Sequence, residues 1–396
     1  MTVRLSRRAA ALAPSSTAEV GRAAKALVAA GADLVDFGVG EPDFPTPEFV
    51  AEAGVAAIRA GRTKYTDVSG DGALREAVAE KYRREQGTRC AGSNVLVTAG
   101  AKQAIFNACQ VLFEAGDEVA IFRPYWVSFP EIVRLSGATP TFVDTLEEEG
   151  WKPTVSALDR AAGPATRGVI LNSPNNPTGA VVEPRELAAI LRWCADREAW
   201  LLFDETYDRF LYDGAIHASA ARLWDEHSAR IVVTGSASKT FAMTGWRLGW
   251  ALAEPEVVSA MSSFQSHSTS NACSISQEAA RVALSDLSRS EAAVEGMLAE
   301  YARRRDAMRE GLSGAPGVRL SSPEGAFYVF ADVAGLCGRK GIGESADLCR
   351  RLLEEAHVAA VSGDAFGAEM CVRFSFATSL ERIREGTRRF TAWARA

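Results

Sequence analysis

Six short apolar runs recur through the middle of the chain, and stretches of helical periodicity separate most of them. The runs are Val95–Thr98, Glu118–Phe122, Gly168–Asn172, Trp200–Asp204, Arg230–Thr234 and Gly249–Ala253. Each has the length of a strand and the near-continuous apolar character of one covered on both faces. Lys102–Phe113 and Pro184–Arg197 carry helical patterns between them. This alternation dictates an α/β fold with a large, mostly parallel sheet sandwiched by helices. In such sheets ligands sit beyond the carboxyl ends of the strands. The residues that follow each run are therefore where chemistry is to be sought.

The chain has 396 residues, enough for more than one domain. From about Arg289 the pattern changes: a long polar-rich helix to Leu312, a strand at Phe327–Val333, a helix near Ala346–Ala356, a strand at Cys371–Phe376 and a closing helix from Leu380. This reads as a smaller α+β unit. The N-terminal stretch offers a helix (Ser16–Ala30) and a short strand (Leu34–Phe37) but no core, so it is expected to pack on the C-terminal unit. The expected division is an N-terminal segment 1–45, a large domain 46–288 and a small domain 289–396.

Composition narrows the function. Residues are 47% hydrophobic and 24% charged, the balance of a globular protein. The net charge of -6 comes with no basic block, which argues against a nucleic-acid partner. No apolar run is long enough to cross a membrane. Arg7-Arg8 followed by Ala9–Ala13 is broken by Pro14, too short for a signal h-region, so a cytoplasmic location is expected. The seven cysteines are scattered without a C-x-x-C and the four histidines lie far apart, so neither a disulfide framework nor a metal site is expected.

Three strand ends carry unusual residues. Gly168–Asn172 runs into Ser173-Pro174-Asn175-Asn176-Pro177-Thr178-Gly179, where two prolines and a glycine stiffen a loop that can present Asn176 in one orientation. Trp200–Phe203 ends in Asp204-Glu205-Thr206-Tyr207, an acid that should need a cationic partner. Arg230–Thr234 leads through Gly235-Ser236-Ala237-Ser238 to Lys239. Singly, these are an Asn-Pro turn, a helix N-cap and a loop lysine. Jointly they supply an amine for a Schiff base, an anion for a pyridine nitrogen and donors for a phenolate, the protein partners of pyridoxal 5′-phosphate (PLP).

The sequence resembles the class I aminotransferases of PLP fold type I, and within them the bacterial aspartate aminotransferase subgroup. The motifs that carry the likeness span the chain in order: Ser6-Arg7-Arg8 with Pro14-Ser15, Gly40-Glu41-Pro42-Asp43-Phe44, Pro124-Tyr125-Trp126, 172–179, Asp204-Glu205-Thr206-Tyr207, Ser236 to Lys239 with Met243-Thr244-Gly245-Trp246-Arg247, Gly325-Ala326-Phe327-Tyr328 and Arg373-Phe374-Ser375.

The resemblance implies a role for each residue. Lys239 would hold PLP as an aldimine and shuttle the substrate proton, Asp204 would keep the ring nitrogen protonated, and Tyr207 and Asn176 would donate to the phenolic oxygen. Trp126 would stack on the ring. Gly100, Ala101 and Lys102 at a helix start, with Ser236 and Arg247, would hold the phosphate, and Tyr65 would reach the phosphate of a partner subunit, making the active unit a homodimer with shared sites. Arg373 would grip the substrate α-carboxylate, joined by Gly40, Trp126 and Asn176, while Lys102, Ser15 and Thr17 would lie near a distal carboxylate. The implied reaction moves the α-amino group of aspartate or glutamate to a 2-oxo acid.

Three departures bear on the substrate. Thr66 to Gly72 replaces a Pro-Ala-Gly-like loop that in the family lies beside the partner's active site, and adds Asp67 and Asp71, which could repel an acidic substrate or attract a cationic one; Thr206 stands where isoleucine is common; Ser362 stands where proline is common. An alternative therefore stays open, a specialised-metabolism enzyme performing β/γ-elimination, replacement or cyclisation on an amino acid. A PLP-fold regulator without turnover is disfavoured, because every machinery residue is kept and no DNA-binding extension is present.

Overall fold

A computed structural model describes residues 4–6, 9, 10, 12 and 16–396. The described residues make thirteen strands. A short β1 (Val35–Asp36) precedes seven that form one sheet: β2 (Val95–Thr98), β3 (Glu118–Arg123), β4 (Thr139–Asp144), β5 (Thr166–Asn172), β6 (Trp200–Asp204), β7 (Ile231–Ser236) and β8 (Gly249–Leu252), in the order β2-β8-β7-β6-β5-β3-β4. All six apolar runs are in it. Alternate residues along each strand feed two cores, one on each face: Val169, Leu171, Leu201, Phe203, Ile231 and Val233 on one side, Ile170, Leu202, Val232 and Ala251 on the other.

Two features of this sheet were not read from the sequence. Strand β8 runs antiparallel to both its neighbours, β2 and β7. The chain between Ser236 and Gly249 is used for the turn that carries Lys239, so no helix crosses the sheet there and the strand re-enters from the same end. The other is β4, at the edge. It contains Pro140 and is mostly half-exposed, so it has no apolar run to betray it, and its edge position tolerates the proline.

The second sheet comes from the C-terminal third, with β9 (Arg319–Leu320), β10 (Tyr328–Asp332), β12 (Val361–Ser362) and β13 (Cys371–Ser375) in the order β12-β13-β10-β9, all antiparallel. Strand β11 (Val358–Ala359) pairs instead with β1, in parallel, which joins the N-terminal stretch to this unit. The 27-residue helix Leu287–Ser313, capped by the Asp286 side chain, begins the unit. No described helix is long and apolar enough to cross a membrane.

Two of the residues that depart from the family pattern have local structural roles. Asp71 is the N-cap of helix Gly72–Gln86, its carboxylate accepting from Ala73 N at 2.9 Å. Ser362 caps the turn Gly363–Phe366 and lies 2.9 Å from the Ser345 hydroxyl. Both are local backbone devices.

At Gly249, strand β8 passes directly under the start of helix Ala101–Leu112; a Cβ there would lie 2.5 Å from Ala101 N and 2.6 Å from Gly100 C. Gly249→Ala should therefore cost about 1–3 kcal/mol through overpacking, read as a lower midpoint of unfolding. An unchanged midpoint would show that the helix start is free to lift off the strand.

Candidate active site

The register of the large sheet sets Asn172, Asp204 and Thr234 abreast at the carboxyl ends of β5, β6 and β7. Above them lies a cavity of about 420 Å³ whose wall includes Asp204, Tyr207, Ser236, Lys239, Asn176, Trp126, Ala101, Lys102, Arg247, Gly40 and Arg373. Residues from six of the quoted motifs, with Ala101 and Lys102 of the helix start, thus face one space.

Lys239 sits in the one-turn helix Ala237–Thr240, which Ser236 caps by accepting from Ser238 N at 3.0 Å. Its Nζ donates to Gly40 O at 2.6 Å and makes no ion pair among the described residues. Desolvation pulls this amine down to about 8; Arg247 and Arg373 push the same way, against Glu41 and Asp204.

Asp204 is buried. Its Oδ1 accepts from Thr206 N at 3.0 Å and Thr206 Oγ1 at 2.7 Å, and burial raises the carboxyl to about 6 despite those donors. Among the described residues no cationic side chain hydrogen-bonds this carboxylate, though the Lys239 charge acts on it. Thr206, noted as a departure, is what holds the carboxylate.

Loop 173–179 is fixed from both sides. Asn172 Nδ2 donates to Asp204 O at 2.9 Å, its Oδ1 accepts from Asn176 N at 2.8 Å, and Gly179 N donates to Asn175 O at 2.9 Å. Arg373 Nη1 donates to Asn176 Oδ1 at 2.9 Å, which leaves Asn176 Nδ2 as a spare donor. Arg373 is 2% exposed, its Nη2 donates to Gly38 O at 2.9 Å, and its Nε is buried without a partner. No carboxylate forms an ion pair with it among the described residues. Asp36, in the same cavity wall, feels its charge, but burial still raises that carboxyl, which accepts from Gly38 N at 2.8 Å.

At the other end, Arg247 bonds only backbone carbonyls, Thr244 O at 2.8 Å and Ala99 O at 3.3 Å. Gly100 has φ +86, and a Cβ there would lie 2.5 Å from Arg247 Nη2, so only glycine lets the guanidinium approach the helix start. The first N–H groups of helix Ala101–Leu112 have no side-chain cap. Lys102 Nζ lies 4.9 Å above the Trp126 ring, its pKa lowered by burial and by Arg247.

Some predicted residues are not gathered here. Tyr65 is 89% exposed and does not line the cavity. Ser15 lies outside the described residues, as does the side chain of Thr17 in helix Ser16–Ala29. Others line the cavity without having been assigned a role: Asp36, Asn172, Thr206, Ser238 and Tyr328. Ser238 and Tyr328 stand inside quoted motifs, which was the available signal; Asp36 ends a two-residue strand and had none.

The donor set fits PLP. A buried acid hydrogen-bonded by no cation among the described residues suits a pyridinium, an uncapped helix start beside a guanidinium bonded to main-chain carbonyls suits a phosphate, and a depressed amine suits aldehyde condensation. Fold and site together define a PLP-dependent enzyme of fold type I. Residues 32–390 match the family aminotransferase class I and II. The chain is 44% identical to the aspartate/prephenate aminotransferase of Thermus thermophilus over 98% of its own length and 97% of that protein's. It is 40% identical to the aspartate aminotransferase of Geobacillus stearothermophilus, covering 98% of both. The solved aspartate aminotransferase from Thermus thermophilus with maleate superposes with a TM-score of 0.93 at 42% identity, covering 99% of this chain and 100% of that one. The chain belongs to the class I and II aminotransferase family and is a PLP-dependent aminotransferase. The alternative of elimination, replacement or cyclisation is not favoured by these relatives.

A pH-dependent cost follows from the raised Asp204 carboxyl. Between its ordinary 3.8 and about 6 the folded chain keeps a proton that the unfolded chain releases, so stability falls as pH rises through that window. The full cost, at most about 3 kcal/mol, is present above it. In cofactor-free protein, Asp204→Asn should raise the melting temperature at about pH 8 and change it little at about pH 4. Equal shifts at both would show that ionisation is not the cause.

Proposed function

We propose that this aminotransferase moves the α-amino group between an acidic amino acid, aspartate or glutamate, and a 2-oxo acid, using Lys239, Asp204 and Tyr207 on the cofactor and Arg373 on the substrate. The observation that carries this reading is the buried Arg373 guanidinium, whose Nε is unsatisfied and which no described carboxylate pairs. A buried cation so placed calls for a small bidentate anion, as an α-carboxylate is.

When bound, PLP supplies an aldehyde that condenses with amines and a ring that accepts the electrons of the broken Cα–H bond. Lys239 would hold it through Nζ and would move the proton at the substrate Cα; a pKa near 8 leaves part of this amine unprotonated near neutrality and able to act as base. Asp204, pinned through Oδ1 by Thr206, keeps a proton on the ring nitrogen. Tyr207 and Asn176 Nδ2 donate to the phenolic oxygen, and Trp126 covers the ring. Ser236, Arg247 and the backbone N–H groups at Gly100, Ala101 and Lys102 hold the phosphate. Gly40 and Arg373 orient the substrate.

The acidic side chain is supported by Lys102, an ammonium in the cavity wall without an acid partner among the described residues, and by the maleate, a dicarboxylate, of the Thermus structure. A larger acceptor such as the prephenate named for several relatives is also favoured by one observation. A second chamber of about 680 Å³, lined by Phe106, Tyr125, Val127 and Ile132, shares Lys102 and Arg247 with the first cavity. The homodimer with shared sites is supported by exposed Tyr65, Ile58 and Val55, which a second copy would cover. A cytoplasmic location is supported by the seven cysteines, all free, six of them buried.

Aspartate and glutamate should each convert the bound cofactor to its amine form, followed by its absorbance; conversion by neither overturns the substrate proposal. Arg373→Ala should lower kcat/KM for the amino acid about 100-fold while PLP affinity changes only a few-fold; equal losses would remove Arg373 from the substrate side. Lys239→Ala should abolish turnover, and borohydride reduction followed by peptide mapping should mark position 239 alone.

A further inference from the structure

We propose that Tyr328 is a positioning residue that ties Tyr207, on the cofactor side, to Arg373, on the substrate side. The inference rests on the roles proposed above for those two residues. It begins with the small sheet. Tyr328 pairs with Ser375 and Phe330 with Arg373 across β10 and β13, so Tyr328 and Arg373 are diagonal neighbours on one face. The Arg373 guanidinium lies 4.4 Å over the Tyr328 ring. The Tyr328 hydroxyl is 2.9 Å from that of Tyr207, and both rings are buried. The start of β10 is tied to the large sheet nearby, Ala326 N donating to Phe210 O at 3.0 Å and Gly325 N to Gly179 O at 2.9 Å.

Hydrogen-bond arithmetic gives the hydroxyl its task. A phenol has one proton to donate. If Tyr207 spends its proton on the cofactor's phenolic oxygen, the bond between the two tyrosines must run from Tyr328 to Tyr207. Tyr328 has no other hydrogen-bond partner among the described residues, so its proton is available for this. A hydroxyl that accepts a bond becomes a stronger donor, so Tyr328 both aims and strengthens Tyr207. Space is kept for this pair by Gly40: a Cβ there would come within 3.2 Å of the Tyr328 oxygen. The ring has a second task. Its face holds the buried guanidinium against Asn176 and the Gly38 carbonyl while no anion is bound.

Two substitutions separate the tasks, with readouts independent of turnover. Tyr328→Phe keeps the ring and removes the hydroxyl. The pH titration of the bound PLP absorbance should move up by about half a unit, because Tyr207 then donates a weaker hydrogen bond to the phenolate, which offsets less of its negative charge. Its affinity for maleate, a dicarboxylate with no amine or oxo group to react, should stay within about twofold. Tyr328→Leu, or Tyr328→Met if the leucine protein does not fold, should in addition weaken maleate about tenfold. An unmoved titration in the phenylalanine variant, or unchanged maleate affinity in the aliphatic one, overturns the corresponding half of the proposal. Tyr207→Phe and Arg373→Lys run alongside as references. If they too leave titration and maleate binding unchanged, the roles given to Tyr207 and Arg373 fail; if they respond and the Tyr328 variants do not, only this inference fails.

Discussion

Four of the charged groups that line the cavity at the strand ends are Lys239, Asp204, Arg247 and Arg373, and among the described residues no two of these form an ion pair. Lys239, Arg247 and Arg373 each donate to main-chain carbonyls, and Asp204 accepts only from Thr206. Burying Asp204 and the Lys239 amine is costly, which raises the one to about 6 and lowers the other to about 8. A ligand of complementary charge would relieve that cost. The rest of the architecture can be understood as what holds these four groups apart and at the right spacing.

Two sheets divide that work. The large one fixes the cofactor-facing groups through register: Asn172, Asp204 and Thr234 end side by side, and the turn after β7 puts Lys239 above them. The reversal of β8 brings Gly249 under Gly100, which sets the helix start beside Arg247. The small sheet supplies Arg373 and Tyr328 on one face, and the β1–β11 pairing brings the Gly38 and Gly40 carbonyls to Arg373 and Lys239. In the roles proposed, Arg373 on the substrate side and Asp204 and Lys239 on the cofactor side therefore come from different sheets.

The departures from the aminotransferase pattern fall mostly on local backbone bonds. Thr206 caps Asp204, Asp71 starts a helix and Ser362 starts a turn. Each hydrogen bond of this kind is satisfied within a few residues, so the substitution can occur without moving a group in the cavity. That is why a chain can differ at such positions and keep the chemistry of the family.

Much was legible in one dimension. The six apolar runs, the helices between them, and Asp204, Lys239 and Asn176 at strand ends follow from local sequence, because burial demands an apolar strand and chemistry demands particular side chains at its end; Arg373 was marked only by the family resemblance. Edge strand β4, with its proline and half-exposed face, left no such trace. Nor did the reversal of β8, the lack of a cation beside Asp204, or the contact between the hydroxyls of Tyr207 and Tyr328, which lie 121 positions apart. The sequence determined which groups the chain carries and which segments are strands, since these depend on neighbours along the chain. Only the tertiary structure decided which of those groups share one desolvated space, because desolvation and pairing depend on distance through space.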